Sequence, residues 1–370
     1  MTNNYERNKE LIDSGMVDAI KSKFNNNQDI PYKYFVLMAD YVDSLSQVSD
    51  QLFVDPIQIA NKLPSAVSII SETNTNGFHG KTDGTIITMN SNLDDNNLKL
   101  YFFHELTHAL QTDKINENEV CGFYNGKNGM FLTEGATQYI AELLYYTSNI
   151  RSNPPTSHQT SIRGLNNHNV NSSLSEYQFN GNVLVMIAKV TALPINQVLA
   201  LSYRKDGRQW LQEMYDEVCG IGTFDNLMND LEKIYMIDKL LIFGYYTQLN
   251  VNTLVNIVSS DGKDSFKGNI NTYNDLIIKV QRELMANFIA NNETEYVLSN
   301  YQSFEKQLTT LELKQQFLSC IQELSIEFNN NRYDVPIREI RKNGFVNIKI
   351  ILTTISIIAI GIVLAINIIK

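Results

Sequence analysis

The chain has 370 residues, 43% hydrophobic and 10% aromatic, with a formal net charge of −10. That is enough apolar material for a sizeable core and two globular parts. An acidic balance with no long stripe of Lys and Arg excludes nucleic acid as a partner. The cysteines Cys121, Cys219 and Cys320 are odd in number and form no CxxC pair, which excludes a disulfide framework and a thiolate zinc site.

The N-terminal stretch MTNNYERNKE is polar and has no apolar segment, so no secretory signal is expected. Leu11, Ile12, Met16, Ile20 and Phe24 recur at helical spacing, and KYFVLMADYVDSL makes a second helix. Residues 1–60 therefore form an N-terminal helical region, which Pro56 and Pro64 punctuate at its end. Strand patterns follow in AVSII (66–70) and GTIITMN (84–90), joined by a turn through Gly77 and Gly80. A helix begins near NLDDNN, where Asp94 or Asp95 can cap its free N–H groups, and runs to about Thr112. Another covers LTEGATQYIAELLYYT, 132–147. The stretch 151–173 has two prolines, many polar residues and no period, and reads as a loop. Helices resume in YQFNGNVLVMIAKVTAL, LPINQVLALSYR, GRQWLQEMYDEVC and FDNLMNDLEKIYMIDKLL, which complete a main domain over 61–245.

Residues 246–336 read as a helical stalk or subdomain. Its apolar stripes are Leu276, Val280, Leu284 and Phe288; then Phe304, Leu308 and Leu311; then Phe317, Ile321, Leu324 and Phe328. A basic juxtamembrane segment, 337–349, precedes a run without charge that extends from Ile350 to Ile369. About 20 such residues span the roughly 30 Å hydrocarbon core of a bilayer. Arg338, Arg341, Lys342 and Lys349 lie before this run and only Lys370 after it. That asymmetry predicts a single-pass protein held in a lipid membrane through residues 350–369, its large N-terminal part in the cytoplasm. Asparagine-rich runs such as FNNNQD and LNNHNVNSS fit the bias of a low-GC bacterial genome.

The chemistry concentrates in YFFHELTHALQ, 101–111. Successive helical residues are about 100° apart, so His104 and His108 share a face about 40° apart. Phe102, Phe103, Leu106 and Leu110 are expected to form the core side, leaving the imidazoles to point into a cleft. Two neutral imidazoles one turn apart can reach one zinc ion, and Glu105 can reach a water there without ligating the metal. A third ligand should follow. The metzincin pattern fails, because Gln111 and Lys114 occupy its glycine and last histidine positions. Glu134, on the next helix, leaves room for the chain to reverse. Glu142 is the weaker alternative, and Glu117 and Glu119 are too close in sequence.

HELTH at 104–108 followed by TEGAT at 133–137 resembles the gluzincin clan of zinc metallopeptidases, which includes thermolysin, over roughly residues 65–240. The resemblance implies an α+β, mostly α fold, with a small β-sheet above the HExxH helix and a helical C-terminal subdomain below it. The C-terminal transmembrane helix is additional to that fold. It also implies Zn2+ as cofactor, His104, His108 and Glu134 as ligands, Glu105 as catalytic base, and a peptide or protein as substrate. GTIITMN resembles the edge strand along which such enzymes bind an extended peptide. The aminopeptidase motif GxMEN is absent, so an endopeptidase is expected. Where thermolysin-like enzymes carry an aspartate that orients a zinc histidine, this chain has Gln138. The candidates for stabilising the oxyanion are His158, His168, Tyr177, Tyr203 and Arg208, with Tyr177 preferred; His79 could border the cleft. The alternatives are a catalytically degenerate zincin-like interaction protein, which Gln138 favours, and a structural protein without metal.

Overall fold

A computed structural model describes residues 2–24, 30–74, 79–115, 118–150, 177–247, 255–258, 265–268 and 270–333. Four helices come first: α1 (Thr2–Asp13), α2 (Met16–Lys21), α3 (Tyr32–Leu52) and α4 (Pro56–Ala66). The strands β1 (Ile69–Thr73), β2 (Gly80–Asp83) and β3 (Ile86–Asn90) precede α5 (Asp95–Gln111). A hairpin of β4 (Thr112–Ile115) and β5 (Asn118–Cys121) leads to α6 (Met130–Ile150). Then come α7 (Gln178–Val190), α8 (Ile195–Leu201), α9 (Gly207–Cys219) and α10 (Thr223–Thr247). A second hairpin, β6 (Val255–Val258) and β7 (Ser265–Gly268), precedes α11 (Ile270–Asn291), α12 (Thr294–Glu305) and α13 (Leu311–Tyr333).

The fold is mostly α with a small sheet, in agreement with the sequence reading. Met1–Ile321 forms one compact unit; of the other, Gln322–Lys370, the described part is the end of α13. Residues 350–369 lie outside the described residues. Among the described residues, no single helix is long and apolar enough to cross a membrane.

Several elements depart from the sequence expectation for local reasons. Pro56 opens α4 instead of closing a helical region: it sits at the start of the helix, and Asp55 caps it by accepting from the Ile57 N–H at 2.8 Å. Proline is at ease there because the first turn's N–H groups have no partner within the helix. Pro64 lies inside α4, close to its end. Because α4 runs to Ala66, the first strand starts at Ile69 and not at 66. β3 starts at Ile86 because Gly84, at φ 58°, turns the chain between β2 and β3. β3 is central, parallel to β1 (Ile69 opposite Ile86) and antiparallel to β2 (Gly80 opposite Met89). The strand in GTIITMN, expected at the edge of the sheet, is therefore its centre, paired on both sides; β2 is an edge strand instead, and the sheet packs on α5.

Beyond its exposed first turn, α5 is enclosed: every residue from Lys99 to Gln111 is buried except the half-buried Tyr101. Phe102, Phe103, Leu106 and Leu110 are buried as expected, but so are His104, Glu105 and His108. Neighbours on all sides enclose it: the sheet, α3, α4 and α6. Tyr34 and Tyr41 of α3 meet Phe102 and Phe103 with ring centroids 5.1 and 5.3 Å apart. Below this, Asp40 is 1% exposed and answers two buried cations, Arg7 of α1 and Lys99 of α5, while Ser148 of α6 donates to it at 2.8 Å. Breaking such a buried pair by removing one partner typically costs about 3–5 kcal/mol, so this cluster fixes how four helices meet.

Farther along, α11 packs on α7, α9 and α10, and Phe288 stacks on Phe304 at 4.5 Å. Val280, Leu284, Phe288, Phe304 and Leu308 are buried as their stripes predict, whereas Leu311 is 71% exposed. The stripe fails there because α12 ends at Glu305 and Leu311 starts a new helix.

Candidate metal centre

Asp94 is the residue that caps α5, its carboxylate accepting from the N–H groups of Asn96 and Asn97 at 3.0 Å. From this fixed start the helix carries His104 and His108 to one place, with ring centroids 4.7 Å apart. The β4–β5 hairpin reverses the chain, and the first turns of α6 bring Glu134 opposite them. Gly135 matters to that placement: a Cβ there would lie 2.8 Å from the Asn180 backbone, so α7 closes on α6 only over a glycine.

The three side chains form a nearly equilateral triangle. His104 Nε2 and His108 Nε2 are 3.1 Å apart, and Glu134 Oε2 lies 3.3 Å from the first and 3.2 Å from the second. Ligands held tetrahedrally at about 2.0–2.1 Å from one ion are about 3.3 Å apart, so the cluster can hold a metal ion.

The outer hydrogen bonds set the imidazoles for this task. Gln138 Nε2 donates to Glu142 at 2.9 Å, so its amide oxygen faces His104 Nδ1, 2.8 Å away, and accepts the ring hydrogen. Thr137 donates its hydroxyl hydrogen to Gln111 at 2.8 Å and accepts from His108 Nδ1 at 3.4 Å. Cys121 Sγ lies 3.7 Å from the same nitrogen. In the neutral imidazoles this leaves both Nε2 lone pairs pointing at the Glu134 oxygen. Three acceptors thus converge in a buried place, an arrangement that a cation resolves.

The ionisation of the pair means that a proton competes with a cation for this place. Burial disfavours a charged His108, but the Glu134 carboxylate and Cys121 raise it well above its ordinary value. Burial also disfavours charge on Glu134, yet His108 and His104 hold its carboxyl well below the usual range, with Lys239 adding to the effect.

Glu105 stands beside the triangle and outside it. Thr82 of β2 donates to its Oε2 at 2.7 Å and to its backbone oxygen at 3.0 Å. β2 approaches this closely because residue 80 is glycine: a Cβ there would lie 2.7 Å from Glu105 Cγ. A cleft of about 390 Å³ opens over Glu105, His104, His108 and Glu134, walled by β2 on one side and by Tyr177 and Lys239 on another.

No family model, curated protein or solved structure matches this chain.

The other residues singled out from sequence fall in different places. Tyr177 is in the cleft, its ring stacked on that of His104 at 5.4 Å. Tyr203 is remote from it, buried against Tyr41 with the two hydroxyls 2.6 Å apart. Arg208 is engaged with the backbone of Phe123 and Asn128 before α6 and does not line the cleft. His79 stacks on Tyr101 at 4.3 Å instead of facing the triangle. His158 and His168 lie outside the described residues. Glu142, the weaker ligand candidate, stands behind Gln138. Burial lifts its carboxyl from an ordinary 4.5 to about 7, against the pull of the Gln138 N–H.

Thr82 and Lys239 of the cleft, and Tyr235 beside it, escaped the sequence reading. Thr82 sits in a strand too polar to be recognised. Tyr235, which donates to Glu134 Oε1 at 3.4 Å, and Lys239 both come from α10. Their spacing of four residues was the available signal, since it puts a tyrosine and a lysine on one helical face.

Proposed function

We propose that this chain is a zinc-dependent endopeptidase of gluzincin type. The observation that carries the reading is the convergence of His104 Nε2, His108 Nε2 and Glu134 Oε2, with the Nδ1 hydrogens of both histidines turned outward. Two imidazoles and one carboxylate facing an open cleft are a donor set suited to catalytic zinc. When bound, zinc supplies Lewis acidity, polarising a carbonyl and making water ionisable near neutral pH.

The chain's own residues supply the rest. With Oε2 held by Thr82, Glu105 takes a proton from the attacking water through Oε1 and passes it to the leaving amine nitrogen. Tyr177, on the opposite wall, is assigned to the oxyanion. The edge of β2, unpaired among the described residues, supports an extended substrate, whose main chain can add to the sheet. The uncharged run 350–369 and its basic flank support action at the cytoplasmic face of a membrane.

The test is proteolysis of a peptide mixture by the full-length protein and its Glu105→Gln variant. The wild type is expected to cleave, to lose activity to a chelator and to regain it with zinc. The variant should retain metal and lose at least about 100-fold in kcat. Equal cleavage by the two would refute a role for Glu105. Stoichiometric metal without cleavage by either would leave the degenerate interaction protein, the reading that Gln138 favours.

A further inference from the structure

Lys239 is a half-buried cation lining the cleft of the metal centre; it helps hold the Glu134 carboxyl low, but among the described residues it has no ion-pair partner. Its Nζ donates to the Tyr177 hydroxyl at 2.9 Å and lies 4.9 Å from the centre of that ring and 5.2 Å from that of Tyr235. No carboxylate of the described residues is within ion-pair distance of it. The fully buried cations are ion-paired, Arg7 with Asp40 and Asp43 and Lys99 with Asp40, whereas the half-buried Lys239 is not paired among the described residues. An ammonium carries three donors. The phenol takes one, and two ring faces attract the cation without neutralising it. The tyrosines that frame Lys239 also touch the metal centre, one stacked on His104 and the other bonded to Glu134. An anion that answers Lys239 therefore sits within a residue or two of the triangle, since an extended peptide advances about 3.3 Å per residue.

Resting on the peptidase reading, we propose that Lys239 is the specificity-determining residue of the cleft and binds a substrate carboxylate close to the scissile bond. That carboxylate belongs either to an acidic side chain or to the peptide's own C-terminus.

The test uses full-length Glu105→Gln protein loaded with zinc, so that peptides bind without turnover. Three matched pools of hexapeptides are titrated: one with a single Glu and an amidated end, one neutral with a free carboxyl end, and one neutral and amidated. One carboxylate pool is expected to bind about ten-fold more tightly than the neutral amide pool, and which one it is identifies the source. Adding Lys239→Gln should erase that advantage and leave the neutral amide pool unchanged. Lys239→Arg should preserve it, and Lys239→Glu should reverse it in favour of a Lys-containing pool. No carboxylate preference, or equal weakening of all pools by Lys239→Gln with no retention by Lys239→Arg, would overturn the proposal. Binding here needs no catalysis. A wild type that cleaves nothing while this preference persists would refute only the peptidase reading, and a wild type that cleaves without the preference would refute only the role of Lys239.

Discussion

Gln138 sits between His104 and Glu142 and fits them only one way round, amide nitrogen toward the carboxylate and amide oxygen toward the ring. It orients the ring through a neutral amide, which is itself held by the Glu142 carboxyl one helical turn farther on. Replacing Gln138 with Leu should leave the fold intact and weaken zinc binding about 10–100-fold, as loss of an outer-shell partner typically does. Competition with a chromophoric chelator measures this, and unchanged affinity would count against the orienting role. Glu142 has its own signature. Its folded carboxyl is raised from 4.5 to about 7. Below pH 4.5 it is protonated whether the chain is folded or not, and its contribution is fully present. As pH rises, the unfolded chain releases the proton first, so that contribution is lost up to about pH 7 and stays constant above. Relative to Glu142→Gln, wild-type stability should fall by roughly 3 kcal/mol across that window, read by chemical denaturation. Parallel profiles would sink the assignment. The sequence displays Gln138 as a departure from the aspartate pattern. It hides the compensation, because which neighbour Gln138 bonds depends on how deeply α6 is buried.

At the scale of elements, the HExxH helix was legible and the elements that cover it were not. His104, His108 and Glu134 announce themselves through spacing, and the cap at Asp94 through its residue type. β2 does not, since GKTD has no apolar alternation and its value lies in being narrow. Gly80 brings that edge strand against Glu105. In Gly80→Ala the new Cβ would stand 2.7 Å from Glu105 Cγ and 2.9 Å from Oε1, so the carboxylate must move. A shift of about 1 Å in a catalytic group can cost about 100-fold in rate. Gly80→Ala should therefore lose turnover on that order while keeping its zinc; full activity would show that β2 does not position the base. α10 is the other covering element. Tyr235 reaches Glu134 from 101 residues away, a contact that no local pattern encodes.

For the whole molecule, the same distinction between local and long-range determinants holds. The helical character and the small sheet follow from periodicity along the chain. The enclosure of α5 depends on long-range packing, with Arg7, Asp40, Lys99 and Ser148 drawn together from four helices. Such a framework holds the two imidazoles and the Glu134 carboxylate close together, so a metal that binds only the folded chain must stabilise it. The measurement that bears most directly on this is the metal content of the purified full-length protein by elemental analysis, alongside Glu105→Gln and His104→Ala. The prediction is about one zinc per chain in the wild type and in Glu105→Gln, and none in His104→Ala. No stoichiometric metal in the wild type, or metal that persists when His104 is removed, would contradict a centre built from His104, His108 and Glu134.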